Sequence, residues 1–167
     1  MQLFHSSFIS SESKMSILKF ISLVALSFIL MELLSYILHR YIFHGLFWKI
    51  HKTHHESSHS LFEMNDLFSL SFSISAIVLM IAGLQENILE SIYFPIGLGI
   101  TIYGILYFII HDVYTHKRFA KLKTDNRIIN IIKKAHQKHH QSAEKIGNEP
   151  YGLFLFDYEL FSRKLKK

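Results

Sequence analysis

The chain has no cysteine among its 167 residues. That excludes disulfides, thiolate metal ligands and thiol nucleophiles, so any metal site must be built from nitrogen and oxygen. Proline occurs only twice, so little interrupts long helices. Charged residues make up 19% of the chain while half of it is hydrophobic, and the apolar residues are gathered in long runs. This length suits one domain and is short for two, so residues 1–167 read as a single domain. The formal charge is +5, but sixteen of the eighteen Lys and Arg lie at or after Arg40 and most follow His116. A basic side next to long apolar segments marks membrane topology and contact with anionic headgroups, not a nucleic-acid partner.

What the chain has in abundance is histidine, and ten of its twelve histidines fall in two matching blocks. HRYIFH (His39, His44) precedes HKTHH (His51, His54, His55). HDVYTH (His111, His116) precedes HQKHH (His136, His139, His140). Within each HxxHH the rings sit at i, i+3 and i+4, on one face of a helix, from which three imidazoles can hold a borderline metal. The HxxxxH pairs are less tidy. At about 100° per residue, i and i+5 lie roughly 140° apart, so the two rings either serve different metals or need a wide turn. Together the blocks supply enough nitrogens for two ions. Neutral ligands that leave positions open suit iron and O₂.

Simpler readings explain less. A solvated polar face or a zinc-buffering histidine tract does not account for one fixed spacing occurring twice. His55-Glu56-Ser57-Ser58-His59 fits the HExxH pattern of zinc proteases, but two serines make a weak helix centre and the other clustered histidines would go unused. His5 and His59 stand outside the blocks and read as structural.

Three apolar segments organise the rest. Ser16–Leu38 is long enough to cross a hydrocarbon core of about 30 Å, and is too long for a signal-peptide core. Leu67–Gly83 carries serines at 69, 71, 73 and 75. It reads as a helix with Ser69/Ser73 and Ser71/Ser75 as close-packing contacts, since a lone strand cannot span a bilayer. Ile92–Ile110 is the third. The first and third run straight into histidine blocks, so parity puts both blocks on one side, while the intervening loop Leu84–Ser91 carries Glu86 and Glu90. By the positive-inside rule the histidine side is cytoplasmic. The expected architecture is all-α: an integral membrane bundle of about three to four spans with a histidine-rich helical cap. Residues 1–15 read as a polar tail. Ile128, Ile129, Ile131 and Ile132 are expected to rest at the membrane interface. The aromatic tail YGLFLFDYELF either closes over a site or docks on the membrane.

Four polar residues are candidates for orienting or serving the histidines. Glu32 lies at membrane depth, where a carboxylate is costly. It stands about 10 Å along the helix from His39, so orienting a histidine from another helix or relaying protons competes with a plain interhelical hydrogen bond. Asn65, Asp66 and Asp112 can fix histidine tautomers, though capping explains Asn65 and Asp66 equally well.

These blocks resemble the membrane fatty-acid hydroxylase and desaturase superfamily. The stretches MELLSYILHRYIFHG (31–45), HKTHHE (51–56), FEMNDLF (62–68), HDVYTHKRF (111–119) and AHQKHH (135–140) resemble bacterial β-carotene hydroxylases of the zeaxanthin-forming type. The resemblance covers residues 31–153, and after Ile146 only GNEPYGLFLF carries it. It implies a non-haem diiron monooxygenase of the bacterial cytoplasmic membrane that uses O₂ and electrons from a ferredoxin-type donor. The implied reaction adds hydroxyl groups at C3 of β-ionone rings of a carotenoid substrate. The implied metal ligands are His39, His44, His51, His54, His55, His111, His116, His136, His139 and His140. A desaturase, ketolase or sterol/fatty-acid hydroxylase on the same scaffold, and a non-catalytic membrane metal-binding protein, are the competing functions.

Overall fold

The computed structural model describes residues 15–56, 61–86, 88–142 and 144–163. Helix α1 (Ile17–Ile37) runs without a break into a π-helical segment, π1 (Leu38–Leu46), and α2 (Trp48–His55) follows. Helix α3 (Asp66–Glu86) returns, and α4 (Tyr93–Tyr107) again runs into a π-helical segment, π2 (Phe108–Thr115). Helices α5 (Arg127–His139) and α6 (Tyr158–Arg163) complete the described chain, which contains no strand among those residues. The expected tail, apart from Met15, lies outside the described residues, as do His5 and His59.

Three continuous helices are long and apolar enough to cross a membrane: Ile17–Leu46, Asp66–Glu86 and Tyr93–Thr115. Their outer faces are aliphatic. Ile21, Leu30 and Ile37 on α1 and Leu70, Ile74 and Val78 on α3 are exposed. Such a surface is a liability in water, and it fits hydrocarbon, where helices satisfy their own backbone. Helix α4 is central. It packs on both α1 and α3, whereas α1 and α3 do not pack on one another among the described residues.

Without a hydrophobic drive between spans, close approach depends on small residues, and these are glycines rather than the expected serines. A Cβ at Gly97 would stand 2.8 Å from the Ala76 carbonyl oxygen, and one at Gly83 2.6 Å from Phe94. Gly99 likewise makes room for Ser27 of α1. Ser69, Ser71, Ser73 and Ser75 are exposed, and Ser73 and Ser75 donate to carbonyls of their own helix four residues back. An outward serine can satisfy its hydroxyl on the preceding turn and so needs no neighbouring helix.

Helix α5 also departs from expectation. Its N-terminus is capped by Asn126, whose side chain accepts from the Ile128 and Ile129 amides. Ile128 is exposed, but Ile131 and Ile132 are buried, at 5% and 2% exposure. Ile132 packs with Ile110 and Leu153, and Ile131 with Ala135 and Phe161. The apolar face of α5 therefore docks α5 onto π2 and α6 instead of lying on the membrane, which turns its histidine face towards the bundle.

Candidate metal centre

The wide turn answers the HxxxxH spacing. In both π segments the backbone closes i→i+5 rings: the His116 amide donates to the His111 carbonyl, and the Phe47 amide to the Ile42 carbonyl. Residues five apart then stack as residues four apart do in an α-helix. His39 and His44 accordingly face one centre, and His111 and His116 another.

The HxxHH triplets do something the spacing did not suggest. His39, His44, His51, His55 and His139 converge in a first cluster, and His54, His111, His116, His136 and His140 in a second, with the ligand atoms of each cluster within 4.8 Å of one another. Each triplet is thus divided: its i and i+4 histidines stay with their own block and its i+3 histidine joins the other. At about 100° per residue, i and i+4 are about 40° apart, while i+3 lies about 60° to the other side of i. A helix standing between two centres can address both.

The ring nitrogens are sorted. In the first cluster the Nδ1 atoms face acceptors: His39 the Tyr151 carbonyl at 2.7 Å, His44 that of Lys145 at 3.0 Å, His55 that of Ser142 at 3.0 Å, and His139 that of Asn148 at 2.6 Å. His51 faces Asn65 Oδ1 at 2.9 Å. Carbonyls only accept, so Nδ1 carries the hydrogen and Nε2 a bare lone pair. Those Nε2 atoms point at each other: 2.9 Å between His39 and His51, and 3.1 Å between His44 and His139. In the second cluster His116 and His136 are 3.0 Å apart and His54 and His111 3.3 Å apart, while His140 Nε2 is buried with no partner. Converging lone pairs repel unless a cation sits among them. Nitrogens bound about 2.1 Å from one ion and at right angles lie about 3.0 Å apart. The donor set fits two metal ions.

The second cluster is held by carboxylates. His54 Nδ1 meets Glu63 Oε2 at 2.7 Å and His111 Nδ1 meets Asp112 Oδ1 at 3.0 Å. The buried Arg118 guanidinium ties Asp112 (3.0 Å) to Asp66 (2.6 Å) and to the Leu61 carbonyl. Of the four polar candidates, Asn65 and Asp112 touch histidines. Asp66 acts at one remove, through Arg118. Glu32 touches no histidine among the described residues. Its Oε1 accepts from the Phe154 and Leu155 amides and its Oε2 from the Tyr103 hydroxyl, and Gly152, lacking a Cβ, leaves room for it. Glu32 therefore anchors the segment whose carbonyls orient the first cluster, and the Tyr151 ring packs against His39, His44 and His139. The tail closes over the site. Gly147, at φ +66°, turns that segment past the His44 ring, which a Cβ would approach to 2.9 Å.

Two contributors escaped the sequence reading. Glu63 sits in the FEMNDLF stretch two residues before Asn65, a position that pointed to it. The carbonyls of 142–151 leave no side-chain signal at all. The zinc-protease motif loses its helix: α2 ends at His55, with Glu56 extended behind it.

Burial, then the neighbouring imidazoles, lower the pKa values of His51 and His139 to about 3 and that of His55 to about 4. Unfolded histidines titrate near 6.5, so below that pH the unfolded chain binds more protons. Stability is full above about pH 6.5 and falls as pH drops towards 4, by up to about 1.4 kcal/mol per pH unit for each such histidine. The metal-free protein is expected to melt progressively lower between pH 7 and pH 5 in detergent. A flat profile in scanning fluorimetry would show that these rings are not held neutral.

Both clusters meet an apolar cavity of about 430 Å³ between the spans. Its end is formed by His39, His51, His54 and His111, and its walls include Met31, Phe43, Phe72 and Phe108. A separate polar cavity of about 400 Å³ borders the second cluster beside Glu56, Glu63, Arg118 and Gln137.

An all-helical bundle of three apolar spans, with paired histidine clusters that could each hold a metal ion, defines a class of helical membrane proteins. The fatty acid hydroxylase family model matches residues 24–160, and the chain belongs to that family. It is 37% identical over 119 residues to the chloroplastic β-carotene 3-hydroxylase 2 of Arabidopsis thaliana, 70% of this chain and 39% of that protein. It is 36% identical over 135 residues to the β-carotene hydroxylase of Pseudescherichia vulneris, 78% of this chain and 73% of the relative. The chain thus spans about two fifths of the plant relative's length and most of the bacterial one's. No solved structure matches.

Proposed function

We propose that the chain is an O₂-dependent diiron hydroxylase that adds a hydroxyl group at C3 of carotenoid β-ionone rings, with the ten clustered histidines as iron ligands. The observation that carries this reading is the apolar cavity ending on histidines of both clusters. The named activities of the relatives supply the substrate class.

Two irons bound there would supply the O₂ activation that an unactivated ring methylene requires. The chain's own residues do the rest. Nδ1–H bonds to carbonyls, Asn65, Glu63 and Asp112 lock seven of the ten rings so that Nε2 faces inward, and such partners tune both affinity and basicity. The hydrocarbon walls exclude water and hold a substrate without a polar handle by shape alone. The polar cavity offers water and protons a route to the second cluster that avoids the substrate. The histidine side, which carries most of the basic residues, faces the cytoplasm, where a ferredoxin-type protein would supply electrons. The spans lie in a bacterial cytoplasmic membrane, and residues 1–167 act as one domain.

Purified protein should carry about two irons per chain, and expression in a β-carotene-producing host should yield new 3-hydroxylated products. Zinc in place of iron, or an unchanged carotenoid profile, would overturn the proposal. Hydroxylated fatty acids or sterols in that host would instead assign the chain to another branch of its family.

A further inference from the structure

The glycines of α4 are not alike. Gly97 and Gly99 are buried where α4 meets α3 and α1, and a Cβ at either would collide with the neighbouring helix. Gly104 is exposed, lines the apolar cavity, and a Cβ there would meet no atom within 4 Å. Helices α3 and α4 therefore touch at Gly97 and have parted by Gly104, so the cavity opens on the way to the histidines. Gly104 lies seven residues before His111, about 10 Å along the axis. A glycine inside a helix costs about 1 kcal/mol relative to alanine, and packing does not explain this one. Across the cavity the facing turns of α3 also present small side chains, Ser69 and Ser73, and both serines are exposed. The remaining walls include the aromatic rings of Phe68, Phe72, Tyr103 and Tyr107.

We propose that Gly104 sets the width of the cavity mouth and so selects a substrate that ends in a bulky, methyl-bearing ring on a long apolar chain. A straight acyl chain is only a methylene wide and would pass a mouth narrowed by a side chain. A ring with paired methyl groups would not. The cavity takes the ring end, and the remainder of the molecule lies among lipid chains beyond the exposed mouth. This rests on the carotenoid reading above and specifies which part of the substrate that reading depends on.

The test uses the full chain in nanodiscs, metal-free, with binding read by carotenoid absorbance and folding by thermal melting. Two ligands are compared, β-carotene and an open-chain carotene of the same carbon number. Gly104→Ala should melt no lower than the parent and already bind β-carotene about threefold more weakly. Gly104→Leu should keep its melting temperature, bind β-carotene at least about tenfold more weakly, and bind the open-chain carotene within about threefold of the parent. Undiminished β-carotene binding by Gly104→Leu, equal loss of both ligands, or unfolding of either variant would each overturn the proposal. The hydroxylase reading is judged separately, by product from the parent protein. A parent that makes no hydroxylated carotenoid yet shows this selectivity fails that reading and keeps this one.

Discussion

The His139→Ala protein is expected to lose the metal of the first cluster and to retain about one iron per chain instead of about two. The expectation runs against the order of the sequence, in which His139 belongs to the second block. In the structure its Nε2 lies 3.1 Å from that of His44, its Nδ1 is held by the Asn148 carbonyl, and it is fully buried. His54→Ala should do the reverse, emptying the second cluster. Pairing the changes separates the interlaced arrangement from one metal per block. His44→Ala with His139→Ala should cost no more iron than either alone, because both serve one ion. His44→Ala with His54→Ala should remove both irons. Hydroxylated product should fall by about a hundredfold or more in every case, since neither centre substitutes for the other. Metal analysis of the purified variants decides it: additive iron loss in the first pair and a surviving iron in the second would refute the interlacing.

Glu32→Ala is expected to damage the first cluster without touching it. Removing the carboxylate strands the Phe154 and Leu155 amides and the Tyr103 hydroxyl in a buried setting, at a cost of about 1–3 kcal/mol for each unsatisfied group. The segment it anchors carries the carbonyls of Tyr151, Asn148, Lys145 and Ser142, which orient His39, His139, His44 and His55. Iron should therefore be lost from the first cluster, together with a clear drop in melting temperature. Glu32→Gln keeps an amide oxygen for the two backbone donors and should recover most of both. A proton-relay role predicts the opposite pattern, a well-folded, iron-replete Gln variant without activity.

The sequence showed the elements better than the connections between them. Period and length gave three spans and their common side because a hydrocarbon layer imposes long apolar helices. The histidine spacing gave both clusters' members but not their partition. That follows from where α2 and α5 stand between the centres, which is a matter of tertiary placement. The π segments were legible only as one of two options, a wide turn or separate metals, since an α-helix would have sent His39 and His44 to different sides. Ile131 and Ile132 were misplaced because an amphipathic helix looks the same whether its apolar face meets lipid or protein. The carbonyls of 142–151 were invisible because every residue has one. Glu32 was visible as an anomaly, and only the structure shows that its partners are the Tyr103 hydroxyl and two backbone amides over a hundred residues away.

Exchanging one histidine between the halves has a consequence during synthesis. The first cluster waits for His139, and the second, anchored mostly beyond Ile110, waits for His140. A chain still on the ribosome, or one cut between the blocks, offers only incomplete cages and should release any metal it meets. Neither cage could then load a metal before His139 and His140 have been made.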